Sequence, residues 1–142
     1  MSRNIIQTES APAAIGTYSQ GVKVTQGSMT FISGQIPLVP ETMTMVSDSF
    51  VEQTHQVFKN LASVADASGG SLSDCVKLTI YLTDLNEFAN LNTVMAEYFS
   101  EPYPARAAVE VSALPKGAQV EVDAIMVGAE LCQFVHRLLI FN

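Results

Sequence analysis

The chain has 142 residues, 48% of them hydrophobic, with 14 Asp and Glu against seven Lys and Arg, a net charge of −7, and two cysteines. That length fits one domain whose core needs no disulfide or metal staple. The acidic balance, without any Lys/Arg cluster, argues against general nucleic-acid binding, and two cysteines make neither a disulfide framework nor a zinc site.

The opening "MSRNIIQTES" turns polar too soon for a signal peptide, and no apolar run is long enough to span a membrane. With so few cysteines this predicts a reducing, cytoplasmic setting. So apolar a small domain is also expected to hide surface in a subunit interface.

In chain order, residues 4–9 read as a short strand and 10–21, rich in Ala, Gly, Pro and Ser, as an ordered loop. Residues 21–37 read as two strands paired through a hairpin turn at Gln26-Gly27-Ser28. Residues 38–48 read as a loop with Pro40 and Glu41 as turn residues. The clearest helix spans 48–68. Ser49 and Glu52 form a capping-box pair, Phe50, Val57, Leu61 and Val64/Ala65 recur at helical spacing, and Gly69-Gly70 stops it.

Residues 74–84 set Val76, Leu78, Ile80 and Leu82 against Cys75, Lys77, Thr79, Tyr81 and Thr83, a half-exposed strand. Asp84 and Glu87 predict a second capped helix with Phe88, Leu91, Met95 and Phe99 on its apolar face. Strands follow at 105–111 and 119–128. The order predicts an α+β sandwich, with two helices on one face of a mostly antiparallel sheet. Residues 131–142, "LCQFVHRLLIFN", stand apart. Leu131, Phe134, Val135, Leu138 and Leu139 match the template of a short amphipathic helix, while Ile140 and Phe141 break that pattern and leave a strand open. The division is a domain of residues 1–128 and a C-terminal extension of 129–142.

Three residues could carry chemistry. Arg106 interrupts the apolar strand "YPARAAVEV", sharing a strand face with Ala108 and Glu110. Two readings stand: an ion pair with a nearby acid, or a planar fork that grips a ligand carboxylate, with Ala105, Ala107 and Ala108 leaving room beside it. Glu121 lies on the polar side of "QVEVDAIMV", either solvated or placed to orient and deprotonate a water. Asn92 falls on or beside the core face of the second helix, where its amide either cross-links backbone or faces a site. Tyr18 and Ser33-Gly34 lie at glycine-containing turns that let backbone approach a ligand. His55 and His136 are isolated, His55 reading as a surface residue. Ser33 has no evident His–Asp partner, the thiols read as structural, and neither a dinucleotide fingerprint nor a phosphate loop occurs.

The stretches "APAAIGTYSQGV" (11–22), "SGQIP" (33–37), "LTDLNEFANLN" (82–92), "YPARAAVEV" (103–111) and "LPKGAQVEVDAI" (114–125) occur in the order and spacing of one family. Together they resemble the Rid/YjgF proteins, most closely the reactive-intermediate deaminase A (RidA) branch, over about residues 3–128. The resemblance implies a chorismate-mutase-like fold, a six-stranded mixed sheet with both helices on one face. It also implies a homotrimer around a sheet-lined barrel, with ligand clefts between subunits. The implied activity is cofactor-free and metal-free hydrolysis of reactive 2-enamino and 2-imino acids, such as 2-aminoacrylate and 2-iminobutanoate, to 2-oxo acids and ammonia. In that pattern Arg106 holds the substrate carboxylate and Glu121 positions the attacking water, while Tyr18, Ser33, Gly34, Asn92 and Ala108 line or support the cleft.

Three features depart from the usual pattern: Ala108 stands where many deaminases carry cysteine, Thr17 where proline is common, and residues 131–142 run beyond the usual C-terminus. The alternative function is a non-catalytic module that binds small carboxylate metabolites such as 2-oxo acids. An RNA-cleaving activity, attributed to some family members, fits poorly with the charge of −7.

Overall fold

In the computed structural model, which describes residues 3–129, the alternating segments at 75–82 and 120–128 become the two central strands of a four-stranded sheet. The elements are β1 (Arg3–Ile6), β2 (Gly21–Val24), β3 (Ser28–Gln35), β4 (Leu38–Val39), β5 (Thr44–Met45), α1 (Phe50–Ala67), β6 (Cys75–Leu82), α2 (Phe88–Tyr98), β7 (Ala105–Glu110) and β8 (Val120–Gly128). The sheet order is β3-β8-β6-β7. β8 runs antiparallel to β3 and β6, and β6 runs parallel to β7. A parallel pair needs a long crossover, and α2 supplies it. The fold is thus α+β, with two helices and a mixed sheet.

One face of this sheet is the core. Ile32, Leu78, Ile80, Leu82, Val120, Val122, Ala124 and Met126 pack against Phe50, Val57, Phe58, Leu61 and Ala65 of α1 and Leu91, Val94 and Met95 of α2. Ser49 caps α1, its hydroxyl accepting from the Glu52 N–H at 3.4 Å. The helix stops in a Schellman turn: Gly69 takes φ +86°, and the Gly70 N–H returns to the Ala65 carbonyl at 3.0 Å. Of the Val64/Ala65 pair, Ala65 is buried and Val64 is not. Gln53 and Thr54 are also buried, satisfied by backbone partners.

Several expectations fail locally. β2 and β3 are not a hairpin: β2 pairs with β1, and β3 pairs with β8. Gly27 explains the change of partner. It takes φ +124°, and a Cβ there would lie 2.5 Å from the Gly128 carbonyl oxygen, so the bare glycine lets the chain turn directly onto the end of β8. Among the described residues the main sheet has four strands, and β1 and β2 form a two-stranded ribbon that meets its β7 edge through one parallel bridge, Ser19 to Ala105. The loop at 38–45 contains the small β4–β5 hairpin. Asp84 caps a short 3-10 turn at Leu85–Glu87 instead of α2. Glu87 does not close a capping box; its side chain accepts from Asn90 at 2.7 Å.

Cys75 is buried, and Val76 only partly, because a bulge between Cys75 and Lys77 shifts the alternation by one residue. His55 is half-buried, with Nδ1 2.9 Å from the Tyr98 hydroxyl. The helix predicted at 131–142, with Cys132 and His136, lies outside the described residues.

Candidate functional site

Arg106 sits on edge strand β7 opposite Leu78, with Ala108 opposite Ile80. Parallel partners point the same way, so Arg106 and Ala108 face the helix layer. Arg106 Nη1 donates to Asn92 Oδ1 at 2.6 Å and to Thr17 Oγ1 at 2.9 Å, with Met95 Sδ at 3.5 Å. The guanidinium carbon lies 5.2 Å from the ring centroids of both Tyr18 and Phe88, within cation–π range. Burial lowers the pKa of Arg106, and the nearby Tyr18 opposes that shift. A guanidinium nonetheless stays cationic at neutral pH. The ion-pair reading finds no partner: among the described residues no carboxylate lies within salt-bridge distance of Arg106.

The loop before β2 brings Thr17 and Tyr18 to this point. Ser19 anchors it to the start of β7, its N–H on the Pro104 carbonyl at 3.0 Å and its hydroxyl on the Tyr103 carbonyl at 2.5 Å. The Gln20 amide ties down Thr8, Ala11 and Pro12. Gly16 passes close to the cation; a Cβ there would stand 3.5 Å from Arg106 Nη2. An open cavity of about 530 Å³ borders Tyr18 on the side of β1, but neither Arg106 nor Glu121 lines it.

Glu121 belongs to a second centre. It lies opposite Tyr81 in the β6–β8 ladder and alternates with the buried Val120 and Val122, so it faces away from the helices. A bulge in β3 between Ile32 and Gln35 contains Ser33 and Gly34. The Glu121 carboxylate lies over Gly34, where an added Cβ would overlap it. The Tyr81 hydroxyl donates to Asp123 Oδ2 at 3.0 Å, and that hydrogen bond is the first cause of a raised Tyr81 pKa.

Within one chain, then, Tyr18, Asn92, Arg106 and Ala108 gather on the helix side of the sheet, while Ser33, Gly34 and Glu121 gather on the open side. Sequence reasoning placed Phe88 in the core and gave Thr17 no contact. The spacing 88, 91, 92, 95, 99 places Asn92 on one helical stripe with Phe88 and Met95, but it does not show that the stripe meets Arg106. Among the described residues, no three His, Cys, Asp or Glu side chains form a metal-binding group. Burial pushes the Cys75 thiol up to about 12, consistent with a structural, unreactive cysteine. No helix among the described residues is long and apolar enough to cross a membrane.

A family model described as Endoribonuclease L-PSP matches residues 8–128. Protein DfrA of Myxococcus xanthus is 54% identical over 127 residues, spanning 89% of this chain and 97% of that protein. The 2-iminobutanoate/2-iminopropanoate deaminase of Mus musculus is 43% identical over 125 residues, spanning 88% and 91%. Among solved structures, RidA from the Antarctic bacterium Psychrobacter sp. PAMC 21119 superposes with a TM-score of 0.70 at 53% identity, covering 88% of this chain and 99% of that one. TdcF of E. coli, solved with bound serine, superposes with a TM-score of 0.68 at 42% identity, covering 89% and 99%.

Proposed function

Because the chain belongs to the Endoribonuclease L-PSP family, the Rid/YjgF proteins, we propose that it hydrolyses small reactive 2-imino acids, and the 2-enamino acids that tautomerise to them, to 2-oxo acids and ammonia. The observation that carries this reading is Arg106. It is a partly buried cation without an acidic partner among the described residues, and its Nη2 and Nε make no hydrogen bond to them. Those donors match a carboxylate. The deaminase named in Mus musculus and the serine bound to TdcF support a ligand of amino-acid size.

An imine carbon is already electrophilic, so the reaction asks mainly for orientation. Arg106 holds the carboxylate while Glu121 takes a proton from a water whose oxygen attacks the imine carbon, and passes that proton to the imine nitrogen to give the neutral carbinolamine. Glu121 then takes the carbinolamine hydroxyl proton and delivers it to the amino group as the C=O bond forms and the C–N bond breaks. The nitrogen leaves as ammonia and Glu121 is restored as a carboxylate. No cofactor takes part in these steps. Arg106 and Glu121 face opposite ways in one chain, so the reading includes a homotrimer whose clefts join Arg106 of one subunit to Glu121 of the next. The exposed apolar side chains Met29 (60%) and Phe31 (70%) on the Glu121 face support such an interface. The deaminase unit is residues 1–128, and the family match over 8–128 supports leaving 129–142 outside it.

A serine/threonine dehydratase generating 2-aminoacrylate or 2-iminobutanoate in the assay tests the proposal. Ammonia and 2-oxo acid should appear faster with the wild type than with Arg106→Ala or Glu121→Gln. A wild type no faster than Arg106→Ala sinks it.

The separation of the two centres favours one second reading, a module that binds a small 2-oxo acid without turning anything over. It needs Arg106 and not Glu121. Binding and turnover both lost in Arg106→Ala, with turnover alone lost in Glu121→Gln, rejects it. An RNA substrate fits poorly with a charge of −7 and only seven Lys and Arg. Tight, salt-dependent RNA binding would revive that possibility.

A further inference from the structure

We propose that Thr17 is a positioning residue that selects which edge of Arg106 meets the ligand carboxylate; the inference rests on the carboxylate-clamp reading above. A guanidinium has five N–H donors, two of them on Nη1. Both Nη1 donors are engaged at short distance, one by Asn92 Oδ1 at 2.6 Å and one by Thr17 Oγ1 at 2.9 Å, with the Met95 sulfur a weak third acceptor at 3.5 Å. The Thr17 hydroxyl donates its own hydrogen onward to Asn92 Oδ1 at 3.1 Å. Three elements thus close one triangle: the loop before β2, the second turn of α2, and edge strand β7.

The triangle leaves Nε and Nη2 as the donors available to a ligand, on the edge of the fork that grips a carboxylate through two parallel bonds. At the same place the chain at Gly16 passes beside Nη2, where a Cβ would make ordinary contact at 3.5 Å. Without the hydroxyl at position 17, one Nη1 hydrogen is released. The fork can then turn and offer its Nη1/Nη2 end, which moves the carboxylate and the imine carbon with it. Thr17 touches no substrate in this scheme; it acts through Arg106.

The test uses an unreactive 2-oxo acid, 2-oxobutanoate, titrated calorimetrically against the full chain. The variants are Thr17→Val, Thr17→Ser, Arg106→Ala and the double variant Thr17→Val/Arg106→Ala, with the dehydratase-coupled assay run on each. Thr17→Val should weaken binding about tenfold, as one lost charge-assisted hydrogen bond implies. KM should rise more than kcat falls, and Thr17→Ser should restore both to within about twofold. In the Arg106→Ala background Thr17→Val should add nothing.

Thr17→Ser as damaged as Thr17→Val overturns the proposal, because the hydroxyl is then not what matters. So does an unimpaired Thr17→Val beside a weakened Arg106→Ala, which leaves the clamp standing. Wild-type binding by Arg106→Ala removes the clamp and this inference together. A purely structural role would lower the thermal midpoint of Thr17→Val without the KM-against-kcat split, and that result also counts against the proposal.

Discussion

The two faces of the sheet are built in opposite ways. On the helix face, Arg106 is fixed by hydrogen bonds from a loop and from α2, with two aromatic rings beside it, all within one chain. On the open face, Glu121 has room because something is missing: a glycine under its carboxylate, a bulge in the neighbouring strand, and apolar side chains left uncovered. The difference bears directly on mechanism. In a 2-imino acid the carboxylate and the imine carbon are neighbours, about one C–C bond apart. A molecule that small cannot reach through a sheet, so under the proposed function Glu121 either acts on substrate held by another copy's Arg106 or takes no part in the reaction.

Mixing subunits breaks or confirms this most sharply. Arg106→Ala and Glu121→Gln should each lower dehydratase-coupled turnover by about a hundredfold or more, the scale of a lost charge clamp or general base. Unfolding the two variants together and refolding them should then return activity. In a random 1:1 ring with one site per interface, about a quarter of the sites regain both groups. Recovery to that level supports shared clefts. A mixture as inactive as its parents places both groups in one chain's site, or Glu121 in none.

The faces should also differ in what a substitution disturbs. Asn92→Ala removes the acceptor closest to a partly buried cation and should cost about 1–3 kcal/mol of stability, read from denaturant unfolding, along with weaker 2-oxobutanoate binding. Gly34→Ala should leave stability nearly unchanged, because what it displaces is the movable end of a glutamate. Turnover should still fall about tenfold, since the carboxylate moves from its place. Stability loss in Gly34→Ala as large as in Asn92→Ala would erase the contrast.

How legible this was in the sequence depends on the range of the interaction. Period-2 alternation in 120–127 and the helical stripe through Phe50, Val57 and Leu61 are local patterns, and both became the core. The stretches quoted around Arg106 and Glu121 identified the family, because motif order survives in one dimension. Strand partners did not. A turn at Gly27 looks the same whether β3 returns to β2 or crosses to β8, and the contact that decides it lies at Gly128, a hundred residues away. Alternation put Cys75 on the polar side for a related reason, since a bulge exists only relative to the opposing strand, whereas its reading as a structural thiol agrees with its burial. Alternation did assign Arg106 and Glu121 each to a face of its own strand. It could not say that those faces are opposite, because that depends on the register of β7 on β6 and of β6 on β8.

The smallest expected effect reports on the same question without turnover. Tyr81 lies opposite Glu121 and donates to Asp123, and its pKa is raised first by that hydrogen bond, then by burial and by the negative charge of Asp123 and Glu121. The sign follows: a phenol whose folded pKa lies above its unfolded value stabilises the protein below the unfolded value, and the contribution fades as pH rises through the folded one. Absorbance at 295 nm, taken as wild type minus Tyr81→Phe, should show one tyrosine titrating later than an ordinary phenol, and Asp123→Asn should bring it back. A neighbouring subunit's Arg106 near Glu121 would add a cation, which favours the phenolate. The late titration should therefore be blunted in the assembled wild type and stronger in assembled Arg106→Ala. Identical curves for those two proteins would mean that no second guanidinium reaches the open face, and the shared cleft would have to be abandoned.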